Sequence, residues 1–514
     1  MKLAAPSVEW AIEHLNRHND TDLFPSLIEY NAIHQNVANM MDAVTSIDLP
    51  GNTYYPCRRF IIPKDEYSYR VATQLYPVDS IILTSLIHQY GQQIESRRLP
   101  QSGKQVFSHR FNPGQDWRMY GEQDTWSSFW DRCREFAATR EFVAVIDIAD
   151  FYNQISHHVL ENQLNESKLP QEATRWILNL LKHITQRTSR GIPIGPHACH
   201  LLAELSLVPV DNTLQDYGLE FCRSVDDIMV FCRSRDEAKT ALYRVAEVLD
   251  KQQRLIMQKA KTKIYDNQQF AELCNKMIAD QPIDDVEQEI LQIIRKHSGG
   301  DPYVCIDKRN LPDADLKWFD KKHLEHVVEG YLLIADPDFV RLRWFLRRLS
   351  QVGMPGAVEY CLQNITRLMP ALSDLCHYFI SSSPTFEGDW NLVGNTILKL
   401  LDTKLITSNE YFQLSLISLF SRNPTLNHIV ELLNLFPTSS NHIRREIILS
   451  ACHAERMDWL RLHKEAFPAF DLWCQDAYVY ACHILPVEER KFFLKNQRGL
   501  NVWTDLVRTW SNSR

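Results

Sequence analysis

Two adjacent acids separate two runs of strand-forming residues in the stretch Phe221-Cys222-Arg223-Ser224-Val225-Asp226-Asp227-Ile228-Met229-Val230-Phe231. Phe221 and Val225 precede the pair, and Ile228, Val230 and Phe231 follow it. Apolar residues on both sides of a short polar break read as strand, turn and strand, with Asp-Asp at the tip. This part of the chain must therefore build a sheet that presents two carboxylates at one exposed point. Like charges that close are costly unless a cation sits between them. The tip points to a divalent metal site, although a lone Asp-Asp pair is also what a solvated turn looks like.

A third acid lies upstream. Phe142-Val143-Ala144-Val145-Ile146-Asp147 is an apolar run, too short for a membrane span, that ends on a carboxylate. It reads as a core strand delivering Asp147 at its end. Asp147, Asp226 and Asp227 together can hold two Mg2+ ions, and Mn2+ would accept the same oxygen ligands. Two ions roughly 4 Å apart stabilise both the attacking and the leaving oxygen of an in-line displacement.

Further motifs surround these acids. The run from Asp147 continues as Ile148-Ala149-Asp150-Phe151-Tyr152-Asn153-Gln154-Ile155. Gly191-Ile192-Pro193-Ile194-Gly195-Pro196 and Leu201-Leu202-Ala203-Glu204 come next, then Val225-Asp226-Asp227, then Lys261-Thr262-Lys263-Ile264. Pro63-Lys64 and Arg70 stand upstream of all of them. In this order the motifs make residues 55–270 resemble the reverse transcriptases.

The resemblance implies a role for each motif. Asp147, Asp226 and Asp227 would be the metal ligands, joined by the backbone of Ile148, which also borders the nucleotide. Lys64 and Arg70 would neutralise the incoming triphosphate, as cations do in other phosphoryl-transfer sites. Gly191, Pro193 and Gly195 would line the template and nucleotide. Tyr152 would block the ribose 2′-hydroxyl and so select deoxynucleotides. Lys261 would donate a proton to the leaving pyrophosphate or steady it, with Lys259 and Lys263 as alternatives one step away. The residue types fit these tasks: glycine permits close backbone approach and proline stiffens the loop. Of Phe151 and Tyr152, one is expected in the core, because alternate side chains of an extended segment face opposite ways. Two positions depart from the family. Ser224 stands where an aromatic is usual, and Cys199 where a hydroxyl residue is usual. Both are expected to loosen contacts near primer or template while sparing the metal ligands.

At 514 residues the chain exceeds a single core. With 45% hydrophobic and 23% charged residues it is expected to be soluble and globular. No run reaches the ~20 apolar residues of a membrane span. The start, Met1-Lys2-Leu3-Ala4-Ala5-Pro6, shows no signal-peptide core, so a cytoplasmic protein without membrane attachment is expected. The 12 cysteines contain no Cys-x-x-Cys, and Cys376-His377, Cys452-His453 and Cys482-His483 match no common zinc spacing. Free buried thiols are the better reading. A net charge of −8 is unusual for a nucleic-acid binder and requires basic groups to be clustered. Arg58-Arg59 and Lys259 to Lys263 fall among the motifs. Arg341 to Arg348 lies on an expected helix, as a solvated face or a subunit contact.

The expected fold class is α+β: a right-hand fingers-palm polymerase with a helical thumb, followed by an all-α HEAT-like helical-repeat domain. The expected segments are 1–140 (N-terminal extension and fingers), 141–270 (palm), 271–314 (thumb-like helices and linker) and 315–514 (helical repeats). Ser298-Gly299-Gly300-Asp301-Pro302 is the clearest breaker cluster. Beyond it, helical spacing dominates, with breaks that suggest stacked pairs of roughly 35–45 residues. A single irregular helical bundle is the alternative.

This layout resembles the abortive-infection and unknown-group defence-associated reverse transcriptases of bacteria. That resemblance implies a nucleotidyltransferase using dNTPs in anti-phage defence, with DNA, RNA or an associated RNA as partner. It also implies homo-oligomers and synthesis that is untemplated or protein-primed, with Tyr30, Tyr54 and Tyr55 preceding the palm as candidate primers. Two other readings remain at this stage: a nucleic-acid-sensing defence scaffold, and a retron- or group II intron-type enzyme tied to a structured RNA.

Overall fold

The computed structural model describes residues 1–20, 23–51, 53–121, 126–278, 282–299, 304–335, 337–497 and 500–514. Gly300, Asp301 and Pro302 of the expected breaker lie outside these, as does Asp336. By compactness the chain forms two units. The first is Met1–Asp22, Val37–Arg58 and Thr73–Gln281; the second is Leu23–Asn36, Arg59–Ala72 and Pro282–Arg514. Two early segments, Leu23–Asn36 and Arg59–Ala72, group with the C-terminal half.

The strands are β1 (Arg58–Pro63), β2 (Tyr69–Gln74), β3 (Phe142–Asp147), β4 (Phe221–Ser224), β5 (Asp227–Cys232) and β6 (Lys263–Asp266). In the first unit, β4-β5-β3-β6 form one antiparallel sheet. β3 and β5 are near-continuous apolar runs because the sheet is covered on both faces. On one face Val143, Cys222, Met229 and Phe231 pack against Phe129, Trp130 and Cys133 of helix Trp126–Ala137 and Phe270 and Cys274 of helix Asn267–Ile278. Each large side chain fully buried there contributes about 1.5–3 kcal/mol, which fixes the register of the acid-bearing strands. On the other face lies helix Arg235–Gln253, whose Ser234 cap accepts from the Glu237 amide. Helix Ala198–Asp216 packs against that helix and is buried on nearly all sides. The outer edge of β4 is paired with residues 105–107, through Arg223 N to Gln105 O (2.7 Å) and Phe107 N to Arg223 O (2.9 Å).

The second unit takes its only described sheet residues from the β1-β2 hairpin. The hairpin turn is an Asx type: the Asp65 carboxylate accepts from the amides of Tyr67 and Ser68. The expected helix at 286–296 runs Asp285–Ser298, capped by Asp284 and ended by Gly299 at φ +64°. Further helices then pack one on the next in chain order: Phe339–Val352, Leu372–Ser382, Glu410–Phe420, Asn441–His453, Leu472–Ala481 and Val502–Ser513. Asp338, Asn409, Ser440, Asp471 and Asn501 cap five of the six with a side-chain acceptor. The segment Leu23–Asn36 joins this stack because Glu29 pairs with Arg445 (2.6 Å) and Tyr30 meets Trp503 edge-on. The basic run Arg341 to Arg348 is not simply a solvated face. Arg343 and Arg347 grip the buried Asp374 at 2.7 and 2.5 Å and tie two helices together. Among the described residues no helix is long and apolar enough to cross a membrane, and all twelve cysteines are free.

Candidate active site

The register of the sheet assembles the acids. Asp147, the last residue of β3, faces Asp227, the first of β5. Asp226 sits beside it in the turn, and its carbonyl accepts from the Ile148 amide at 3.1 Å. Beyond Asp147 the chain bridges Met257 through Ala149 N to Ile256 O and Gln258 N to Asp147 O. Those bonds do not use the carbonyl of Ile148. They also bring in the lysine segment, where Lys261 Nζ reaches Asp147 Oδ2 at 2.7 Å. Of the three candidate lysines, Lys261 is the one on the acids.

Burial, then the charges of Asp226 and Asp147, push Asp227 up to about 7 in spite of Lys261. That mutual repulsion, and a donor set made of hard carboxylate oxygens, fit a divalent ion such as Mg2+. Among the described residues no group of three His, Cys, Asp or Glu encloses an ion on its own. Mg2+ characteristically completes its shell with water and substrate phosphate, so an open half-site suits it.

The turn is held from beneath. Val225 adopts φ +54°, a left-handed conformation that costs an L-residue about 1–2 kcal/mol and more for a β-branched one. Two bonds pin it: Arg223 Nη1 donates to its carbonyl (2.8 Å), and its amide donates to Ser108 Oγ (2.8 Å). Both partners belong to one buried network. Ser108 Oγ donates to Glu204 (2.5 Å), Arg98 to Glu204 (2.8 Å), and Arg223 to Glu204 (2.9 Å) and bidentately to Asp211 (2.6 and 2.7 Å). Glu204 and Arg223 are 0% exposed. Burial alone would raise the Glu204 carboxyl, but Arg223 and Arg98 outweigh it and hold it at about 2. Replacing Ser108 with alanine leaves the Val225 amide without its acceptor and should destabilise the first unit by about 1–3 kcal/mol. Chemical denaturation followed by a probe in that unit checks it; an unchanged midpoint would remove Ser108 from this role.

The remaining expected residues fall into two groups. Gly191 and Gly195 take φ +101° and +136°, which explains both glycines. Their loop docks on the Asp147 side of the unit, through Gly191 N to Ile155 O (2.8 Å) and Ile192 N to Tyr152 O (2.9 Å). Pro193 lies between them. Thr73 N also donates to Ile194 O (2.7 Å). Tyr152 lies on a short helical turn, Phe151–Gln154, and not on an extended segment. Phe151 is buried and Tyr152 half-buried, so one aromatic is core, as expected, through helical rotation. The Tyr152 phenol lies near enough to Asp226 to feel its charge. Lys64 and Arg70 belong to the hairpin of the second unit, Lys64 exposed and Arg70 half-buried.

Other expectations need correction. Cys199 is fully buried at the start of helix Ala198–Asp216 and Ser224 is also buried, so both exchanges act on packing and not on an open primer or template surface. Tyr30 is buried, and the Tyr54 hydroxyl donates to the Trp176 carbonyl (3.2 Å); neither presents an open nucleophile. Ser108, Arg98 and Asp211 were not legible as site residues. The available signal was Glu204 and Asp211 seven apart, on one face of a helix whose residues between them are nearly all apolar.

Residues 62–277 match the family described as reverse transcriptase (RNA-dependent DNA polymerase). That stretch contains a reverse-transcriptase domain, which gives it the fingers-palm fold. Among solved structures, the chain is similar to telomerase from Candida albicans in complex with the TWJ fragment of telomeric RNA, at 11% identity and a TM-score of 0.30. The likeness covers 69% of this chain and 66% of that one. No curated protein matches the chain.

Proposed function

We propose that the chain is a DNA polymerase of reverse-transcriptase type that joins deoxynucleotides in anti-phage defence. The observation that carries the polymerase reading is the β3-β5 register, which sets Asp147 against Asp227 beside Asp226. In this reading Asp147, Asp226 and Asp227, with the Ile148 carbonyl, hold two Mg2+ ions. Such ions would supply charge stabilisation at the attacking and leaving oxygens of the displacement.

The protein's own groups do the rest. A primer 3′-hydroxyl, or a tyrosine hydroxyl, attacks the nucleotide α-phosphate; the new P–O bond forms as the bond to pyrophosphate breaks, and the hydroxyl proton leaves to water. Lys261 places a positive charge and a transferable proton beside the acids for the departing pyrophosphate. Lys64 and Arg70 neutralise the triphosphate. Gly191, Pro193 and Gly195 give the template and base a close, stiff backbone edge. Tyr152 excludes a ribose 2′-hydroxyl.

The defence role rests on layout: a polymerase segment followed by helices that pack serially, as in the abortive-infection enzymes the chain resembles. The helical half is then a HEAT-like repeat, the active form a homo-oligomer in the cytoplasm, and synthesis untemplated or protein-primed. The test is to incubate purified protein with labelled deoxynucleotides and Mg2+, with an RNA template, a DNA template or neither. Label in acid-insoluble product is expected, and label that survives denaturing electrophoresis on the protein would assign the priming mode. Absence of incorporation under all three conditions would overturn the reading.

A further inference from the structure

Tyr152 is the ring assigned above to exclude a ribose 2′-hydroxyl, yet its own element is too short to hold it. The helical turn Phe151–Gln154 has four residues, and its backbone bond to Ile192 restrains the carbonyl, not the ring. Steric exclusion of a 2′-hydroxyl works only if the ring cannot yield. Something else must fix the phenol.

The phenol oxygen of Tyr152 lies 2.7 Å from Nδ1 of His200, with the rings edge-on at 85°. His200 stands in the first turn of helix Ala198–Asp216. Its ring stacks on His109 at 4.1 Å and 12°. His109 is itself anchored: its carbonyl accepts from Arg98 at 2.8 Å, and Tyr120 meets its ring edge-on at 5.1 Å. Tyr120 in turn accepts from the Leu201 amide (3.1 Å) and donates to the His197 carbonyl (2.6 Å). Burial holds His109 down at about 4, so it is neutral at neutral pH. The rings Tyr120, His109, His200 and Tyr152 thus form one packed row from the core of the first unit to the edge of the acids.

We infer that His200 is a positioning residue for the Tyr152 ring and sets how strictly this polymerase distinguishes deoxynucleotides from ribonucleotides. The inference rests on reading Tyr152 as the sugar-facing ring. It assigns to His200 a task that the three acids and Lys261 do not share: it touches no reacting atom and acts only through the phenol.

The measurement is the ratio of kcat/KM for a deoxynucleotide to that for the matching ribonucleotide, on the full chain with Mg2+. His200→Ala and Tyr152→Phe each remove the same hydrogen bond and should each lower the ratio roughly three- to tenfold. The double variant should fall no further than either single one. His200→Gln, which keeps a hydrogen-bonding group, should recover part of the ratio and serves if the alanine variant does not fold. A merely structural histidine would depress both substrates alike and leave the ratio unmoved. Tyr152→Ala tests the underlying reading separately. If it leaves the ratio unchanged, Tyr152 is not the gate and the inference falls with it. If Tyr152→Ala lowers the ratio but His200→Ala and His200→Gln do not, only the positioning role is overturned. Additive losses in the double variant would overturn it as well, since His200 would then act by another route.

Discussion

Replacing Asp226 with alanine is expected to reduce nucleotide incorporation by about three orders of magnitude or more, since it removes a metal ligand from the reaction centre. The same change should not weaken the fold. Asp227 is held up at about 7 by burial and by the charges of Asp226 and Asp147. A carboxyl raised in the folded state loses stability as pH rises from its unfolded value towards its folded one. Removing Asp226 relieves part of that penalty, so at pH 7.5 the variant should unfold at the same temperature as the parent or above it. Loss of activity with retained stability is the signature of a functional acid; loss of both would mean that the acid supports the fold. In cells, the same variant should lose protection against phage, and unchanged plaque counts would argue against the defence role while leaving the polymerase reading intact.

Replacing Glu204 with alanine should have the opposite signature. It takes away the carboxylate that buried Arg98 and Arg223 share, leaving Glu95 on Arg98 and Asp211 on Arg223, a loss of about 3–5 kcal/mol for breaking a buried pair. That is a large share of a typical domain's stability, so the first unit should melt early or fail to fold. Glu204→Gln keeps the shape and isolates the charge. Glu204 is held at about 2 by Arg223 and Arg98 against its burial. A depressed carboxyl contributes stability that is fully present above its unfolded pKa and lost as pH falls through the folded one. The gap in denaturation midpoint between parent and Glu204→Gln should therefore be widest near pH 7 and narrow as pH falls from about 4.5 towards 2. A soluble Glu204→Ala protein with the parent midpoint would remove this network as the support of the turn at Val225.

These two outcomes separate what was readable from what was not. The acids were readable because their signal is local. Asp147 ends an apolar run, and Asp226-Asp227 interrupts another. The glycines at 191 and 195 were readable because positive φ favours glycine at those positions. The helical character of the C-terminal half was readable from the spacing of its apolar residues, whereas caps such as Ser440 and Asp471 emerged only with the structure. The Arg341 to Arg348 run was misjudged for the converse reason: a basic helical face looks solvated until its partner, Asp374, is brought in from another helix.

By itself, the sequence determined the acid-bearing strands, their turn and the lysine segment, since each is written in a few neighbouring residues. The tertiary structure decided which lysine meets Asp147, which early segments join the helical half, and what holds the strained Val225 in place. The reason is distance along the chain. Ser108 meets Glu204 across 96 residues, and Lys261 meets Asp147 across 114. A buried charge names its own need for a partner, but only packing of the whole unit supplies one.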